Sequence, residues 1–532
     1  MKRLLIILLV LMPLMGFAKK KVAKPDVIVS GLRVENMKQP LGIDTDTPRF
    51  SWMLLSDKQD VHQTAYQLIV SADNGELWNS GRVESDQQLW VSYGGSKLTS
   101  NTHCTWKVKV WTTVGETPWS EPQSFSIGLL GESKWRGYWI GLERLMPGEE
   151  RGFHSRMAAR YLRKEFKLDT KKVRRATAYV AGIGLHEFYV NGQRMGDGVL
   201  QPVASDYRKT IYYNTYDITS ALAKETVCLG IILGNGRLFP MQQHKPYKIH
   251  TFGYPKCRIN VIVEYADGTN QRLQTDDKGW KVTADGPIRA NNEYDGEEYD
   301  ARHEMKGWSE VGFNDSKWLK AERTDIPQAW LRAQMTEGMK VLQQLKPVSA
   351  LPAQHSPLTT IVNTGQNIAG WLKVRVRGQK GDTIRIIYAE KLNADGTLYR
   401  ENLRNARTTD IYVCNGDEGE NGRWWTPTFV YHGFQYAEVI GLKHATAADF
   451  VAEVVADEMV STGCFESADP LLNKIMKNAW WGLVDNYKGM PLDCPQRDER
   501  QPWLGDRTMG SLGESFLFNN ERLYTKWMRD IC

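Results

Sequence analysis

Between Met490 and Gly510 the chain reads MPLDCPQRDERQPWLGDRTMG, a stretch dense in groups that can move protons. It carries four acids (Asp493, Asp498, Glu499, Asp506) and three arginines (Arg497, Arg500, Arg507). Pro491, Pro495 and Pro502 each lack an N–H and restrict the residue before them, so a continuous helix is forbidden. A charge run of this kind is ordinarily a solvated surface loop. Three features argue for more: the loop follows an apolar helix pattern, it contains Trp503 and Cys494, and its prolines stiffen it where the charges converge. Rigid, partly desolvated carboxylates held by arginines are what proton transfer requires.

The order Asp493-Cys494-Pro495-Gln496-Arg497-Asp498-Glu499-Arg500, followed by Trp503, Gly505 and Asp506, resembles the signature of bacterial α-L-rhamnosidases, the inverting glycoside hydrolase family 78. The resemblance implies Glu499 as the general acid. It also implies Asp493, Arg497 and Asp506 lining the sugar subsite, with Trp503 as its wall. A leaving-group acid must stay protonated near neutral pH, which requires a raised pKa. Neighbouring carboxylates and a tryptophan wall push Glu499 up, whereas Arg497 and Arg500 push it down. Which effect wins depends on geometry. The aspartates could accept hydrogen bonds from sugar hydroxyls, with Arg497 fixing one of them in a fork. The bland reading of each is an arginine clip that only holds the loop, and for Asp498 the two readings balance.

The elements that must present this loop change in character along the chain. Lys2 and Arg3 precede the apolar run Leu4–Met15, and Gly16-Phe17-Ala18 offers small residues to a signal peptidase, so 1–18 reads as a secretory signal. The run is short of the about 20 residues that cross a bilayer. An exported protein, periplasmic or extracellular and without a membrane span, is expected. The net charge of +6 includes Lys2 and Arg3, and no basic stripe points to nucleic acid.

With 532 residues, several domains are expected. Residues 19–130 alternate in short runs such as Ala65–Val70 and Trp106–Trp111, with turn signals between, and resemble a fibronectin type III-like sandwich. Residues 135–327 include a strand, a turn and a second strand around Gly184, and Asn191-Gly192 as a tight hairpin turn. They resemble the rhamnosidase N-terminal jelly roll. Residues 342–442 form a third β-sandwich, with strands Trp371–Val376 and Thr383–Tyr388. His432, in the run Tyr431–Val439, reads as a hydrogen-bonded structural histidine. Glu297, Glu298 and Asp300 could bind calcium, but a solvated loop is the favoured reading, and no metal or other cofactor is assigned. Seven cysteines without a C-x-x-C pair suggest buried thiols rather than a zinc site or a disulfide framework. His186-Glu187 and Gly234-Asn235-Gly236 lack the partners their motifs need.

From about Ala445 the apolar period moves toward 3.6. Asp469 and Pro470 read as an N-cap and first helical residue, and Leu471, Leu472, Ile475, Met476, Ala479, Trp480, Leu483 and Val484 follow at helical spacing. A second helix is expected from near Arg507 through Met509, Leu512, Phe516 and Leu517, and a third after Asn519-Asn520. The resemblance implies that 445–532 begins an (α/α)6 barrel. Such a barrel needs about twelve helices. An inverting enzyme also needs a second carboxylate, roughly 6.5–9.5 Å from the acid. The family's base has no matching position here. The expectation is a rhamnosidase cut short: its parent would release rhamnose from glycosides or polysaccharides, and the chain alone would lack turnover. The alternatives are a non-catalytic sugar-binding or bracing remnant, or a six-hairpin glycosidase for another sugar.

Overall fold

The computed structural model describes residues 26–150, 156–222, 225–238, 253–353 and 356–532, so the expected signal segment 1–18 lies outside the described residues. These residues form two units. One holds residues up to Gln39, Pro48–Ser96 and Cys104–Ser124; the other holds Pro40–Thr47, Lys97–His103 and Phe125–Cys532.

In the first unit the runs expected as strands lie within Gln63–Ala72 and His103–Thr112. They pair antiparallel with Leu68 opposite Val108 and Val70 opposite Trp106. Every second residue points inward, burying Leu68, Val70, Trp106, Val108 and Val110. A second sheet pairs Ile28–Val34 with Arg49–Leu55. The Phe50 ring lies 4.7 Å from Trp106 and the Trp52 ring 5.4 Å from Tyr66, so the two sheets share one core.

In the second unit, residues 140–333 supply two sheets. Lys256–Tyr265, Val173–Ile183 and Thr210–Asp217 run side by side in one, and Leu185–Val190, Thr226–Gly234 and Arg160–Lys167 in the other. Ile259, Val261 and Val180 pack between them with Leu229, Ile231 and Phe188. The break at Gly184 carries the chain from the first sheet to the second. Its φ is +93°, and a Cβ there would sit 2.5 Å from the Gly234 carbonyl oxygen, so only glycine fits. Asn191 and Gly192 both take positive φ, 50° and 85°, which gives the tight hairpin joining Val190 to Gln193.

A third sheet runs in the order Ile288–Asn292, Gly296–Asp300, Thr409–Val413, Thr383–Ala389, His432–Ile440, Ser356–Val376, Phe450–Asp457, Met339–Leu345. Its first two strands come from the segment expected to belong to the preceding sandwich. Trp371–Val376 and Thr383–Tyr388 are both strands, but His432–Ile440 lies between them. The helical period expected from Ala445 is corrected by Phe450–Asp457, a strand bonded to Ser356–Val376 and Met339–Leu345. It is buried along nearly its whole length, so its apolar run lacks the alternation that marks a half-exposed strand.

Four helices follow: α1 (Pro470–Val484), α2 (Leu504–Thr508), α3 (Ser511–Leu517) and α4 (Glu521–Ile531). Asp469 caps α1, accepting from the Leu471 N–H at 2.8 Å, with Pro470 in the first turn. Val484, Tyr487, Phe518 and Leu523 pack on the third sheet. The apolar face expected along α1 is largely bare, with Leu471 63%, Leu472 44% and Ile475 52% exposed. The helix expected from Arg507 to Leu517 is interrupted at Gly510, and Met509, Leu512 and Phe516 are also bare. Among the described residues no helix is long and apolar enough to cross a membrane. All seven cysteines are free thiols, with Cys464 and Cys532 exposed and the other five buried.

Candidate active site

The charged loop leaves α1, reaches α2, and is closed at its neck by one residue pair. The Asp493 N–H donates to the Gln501 carbonyl at 3.0 Å, and the Gln501 N–H donates to Asp493 Oδ1 at 2.7 Å. Between them, 494–500 bulge as a closed turn. Arg500 is its internal strut. The side chain is fully buried, with φ at 49°. Its guanidinium donates to the carbonyls of Glu293 at 2.6 Å, Tyr431 at 3.0 Å and Arg497 at 3.1 Å. The Tyr294 and Tyr431 rings lie 5.4 Å and 4.7 Å from it. Arg237 binds the Arg500 carbonyl at 2.5 Å and the Glu293 carboxylate at 2.9 Å, tying the loop to the jelly-roll segment. Gly433 is needed for close approach: a Cβ there would fall 2.8 Å from Pro495 Cγ and 2.9 Å from Gln496 Cβ.

The turn aims two neighbouring carboxylates in opposite senses. Asp498 points inward, 2% exposed, and accepts from Asn405 Nδ2 at 3.1 Å. Glu499 stays nearer the surface, its side chain 14% exposed. Oε2 of Glu499 accepts from Arg404 Nη1 at 2.7 Å and Arg497 Nε at 3.0 Å, and Oε1 accepts from Trp503 Nε1 at 3.0 Å. Burial raises the Glu499 pKa. The Arg497 and Trp503 hydrogen bonds and the charges of Arg404 and Arg497 outweigh it and hold the carboxyl below its usual range. The upward push expected from the tryptophan is thereby corrected: Trp503 acts as a donor to the carboxylate. Arg500, expected to lower the pKa, is spent on backbone carbonyls instead.

Asp493, Arg497 and Glu499 form a chain, because Arg497 Nη2 donates to Asp493 Oδ2 at 3.1 Å while its Nε serves Glu499. Arg497 therefore bridges two carboxylates rather than gripping one in a fork. Trp503 precedes α2 and is 38% exposed. Asp506 lies exposed in the first turn of α2.

Two contributors escape local sequence reading. Arg404 and Asn405 come from the 398–408 segment and reach Glu499 and Asp498 respectively. Arg404 has φ 58° and ψ −111°, outside the ordinary regions for a residue with a side chain. Its contact with Glu499 spans 95 positions, which no local spacing signals.

Behind the loop lies a buried polar cluster. His432 is fully buried, its Nε2 3.1 Å from Asp410 Oδ1, and its ring stacks on Tyr388 at 4.2 Å, in line with a structural role. Asp410 also accepts from the Tyr388 hydroxyl at 2.8 Å and the Glu297 N–H at 2.9 Å. The solvated-loop reading of Glu297, Glu298 and Asp300 is corrected, because these residues lie on the strand Gly296–Asp300. Glu297 turns into the core and accepts from the Thr428 and Phe429 N–H groups at 3.0 Å. Burial pushes its pKa up to about 8 against those hydrogen bonds. Glu298 binds Arg156 at 2.9 Å and Asp300 binds Arg302 at 2.8 Å, so the three carboxylates do not converge.

Comparison with known proteins places these parts in one series. Residues 29–131 match a Rha78A-like N-terminal immunoglobulin domain, 171–343 the α-L-rhamnosidase N-terminal domain, 353–456 the bacterial α-L-rhamnosidase concanavalin-like domain, and 460–532 the bacterial α-L-rhamnosidase six-hairpin glycosidase domain. Sandwiches followed by helices of a six-hairpin domain define a class of multidomain glycosidase architecture. Within that class, three of the four matches are to domains of the bacterial α-L-rhamnosidases. A relative from Formosa agariphila named alpha-L-rhamnosidase is 36% identical over 526 residues, covering 92% of this chain and 54% of its own length. The α-L-rhamnosidase structure from Dictyoglumus thermophilum superposes with TM-score 0.87 at 36% identity, over 94% of this chain and 57% of that one. The Streptomyces avermitilis enzyme complexed with L-rhamnose gives TM-score 0.86 at 26% identity, over 94% of this chain and 64% of that one. The chain thus spans about half the length of the curated relatives it matches.

Proposed function

We propose that this chain carries the acid half of an inverting α-L-rhamnosidase site. The observation that carries the reading is Glu499: a part-exposed carboxyl group on a braced turn, held by Arg497, which also binds Asp493, and by the partly exposed Trp503. Glu499 protonates the bridging oxygen as the glycosidic bond breaks. Asp493, Arg497 and Asp506 hold sugar hydroxyls. The exposed Trp503 ring takes the apolar edge of the 6-deoxysugar, excluding water there. A second carboxylate outside the Met490–Gly510 loop activates water on the opposite face, at roughly 6.5–9.5 Å from the acid. The substrate is a terminal α-L-rhamnosyl group of a glycoside or polysaccharide, in keeping with the relative complexed with L-rhamnose. Export to the periplasm or beyond is part of the proposal and rests on the apolar leader in 1–18. N-terminal sequencing of the exported protein tests it.

The decisive assay is hydrolysis of an aryl α-L-rhamnoside by the enzyme containing this chain, wild type against Glu499→Gln. Loss of about 10²-fold or more in kcat is expected for removal of a general acid. Unchanged turnover refutes the assignment. A panel of other aryl glycosides separates rhamnose from another sugar. A second reading, sugar binding without turnover by residues 1–532 alone, is favoured by the bare apolar faces of α1 and α3. Measurable hydrolysis by the purified chain would exclude it.

A further inference from the structure

A group that donates a proton to a leaving oxygen must be free to carry that proton and point it. Glu499 is not free. Both its oxygens are engaged by N–H donors, and Oε2 is shared by two cations. These three donors leave one lone-pair site, on Oε1, for a proton, and the two cations on Oε2 disfavour filling it, so the acid is readied when one of those cations withdraws.

The three donors are not equally able to leave. Arg497 belongs to the same closed turn and is anchored at its other end to Asp493 at 3.1 Å, so it moves only with the turn. Trp503 serves the other oxygen, and its position follows from the start of α2. Arg404 comes from a different segment, its side chain is 45% exposed, and Glu499 is its ion-pair partner among the described residues. Its backbone sits at φ 58° and ψ −111°, outside the ordinary regions for a residue with a side chain, a conformation that persists where surrounding contacts hold it.

We propose that Arg404 is a releasable clamp on Glu499, displaced into solvent when a sugar seats in the subsite. The inference rests on reading Glu499 as the acid and adds what prepares it. Arg404 is a positioning residue: it takes no proton and does not touch the bond that breaks. On displacement, Glu499 loses one of its two cations and takes up a proton from solvent. That proton passes to the leaving oxygen, and the carboxylate left behind is recaptured once product departs. The remaining groups facing Glu499 are Arg497, with Asp493 beyond it, and the Trp503 indole. Asp498 turns away, Arg500 lies beneath on carbonyls, and the Tyr294 hydroxyl reaches only the Glu499 backbone oxygen, at 3.5 Å.

The test needs no turnover. The Trp503 indole N–H donates to Glu499 Oε1, so its ¹⁵N–¹H resonance reports the state of that carboxyl. The chain is labelled on tryptophan, the resonance is assigned by its loss in Trp503→Phe, and it is followed with pH in the presence and absence of L-rhamnose. In Arg404→Met the protonated fraction at a given acidic pH should rise about tenfold, the effect of losing one nearby opposite charge. Saturating L-rhamnose should produce a similar rise in the wild type and little further change in Arg404→Met. Arg404→Lys should fall between them. A midpoint unmoved in Arg404→Met overturns the clamp, as does a sugar effect that is absent in the wild type or equal in the two proteins. Circular dichroism and the retained Trp503 resonance confirm that the variants fold. Failure of the acid assignment appears separately, as unchanged rhamnoside turnover in Glu499→Gln.

Discussion

Replacing Arg500 by leucine should loosen the 494–500 turn by about 2–6 kcal/mol while leaving the sheets beneath it intact. The magnitude follows from what the guanidinium satisfies. It serves the carbonyls of Glu293, Tyr431 and Arg497 from a fully buried position. In the variant the Arg497 carbonyl, on the turn itself, can rotate toward water. Those of Glu293 and Tyr431 belong to packed segments and cannot, and a buried acceptor left unsatisfied costs about 1–3 kcal/mol. Two of them give the stated range. The assay is amide hydrogen exchange read by mass spectrometry on peptides covering 490–503. Because 1.4 kcal/mol is a factor of ten, protection should fall at least about 30-fold there. Peptides of the Ile28–Val34 strand should be unchanged. Arg500→Lys should recover only part of the loss, since an ammonium lacks the planar fork that spans separated carbonyls. Protection of 490–503 within about fivefold of wild type would refute the view that Arg500 braces the turn.

Gly433→Ala should destabilise by about 1–3 kcal/mol, because its Cβ would meet Pro495 Cγ at 2.8 Å; denaturant unfolding followed by tryptophan fluorescence reads this. Glu297 carries a folded pKa of about 8 against an ordinary value of 4.5, so the folded state holds a proton that the unfolded state releases. Its contribution is full below about pH 4.5 and is lost as pH rises to 8, with a slope of up to about 1.4 kcal/mol per pH unit. Glu297→Gln should flatten that part of a urea-midpoint profile against pH, and an unchanged profile would count against a buried protonated Glu297. Asp469→Ala should cost about 1 kcal/mol through loss of the α1 cap, measured by the same unfolding experiment. Leu512→Lys with Phe516→Lys should lower light scattering of the purified chain without lowering its unfolding midpoint, because both side chains are already about 70% exposed.

Local rules carried much of the architecture. The Asn191-Gly192 turn, the Asp469-Pro470 helix start and the alternating strands of the first sandwich each depend on neighbours in sequence, and the structure contains them. Readings failed where the deciding partner is remote. The strand Phe450–Asp457 is buried nearly throughout, so its pattern resembles the start of a helical region. Glu297 and Glu298 look alike as letters, yet the pleat sends one into the core and the other to Arg156. The gathering of acids and arginines in the Met490–Gly510 loop is legible from its residue types, but the direction of the Glu499 shift is not. That direction depends on Arg404, which arrives from another segment, and on Arg500 being consumed by backbone carbonyls.

The hairpin Ile288–Asp300 lies in the sequence of one domain and hydrogen-bonds into the sheet of the next, where Glu298 pairs with Ile411 and Asp300 with Val413. A gene fragment ending near residue 340 would expose a lone two-stranded ribbon, and one beginning there would leave Thr409–Val413 as a raw sheet margin open to pairing with other chains. The jelly roll and the concanavalin-like domain should therefore fold as one piece, and swapping either between relatives requires the seam to be carried along.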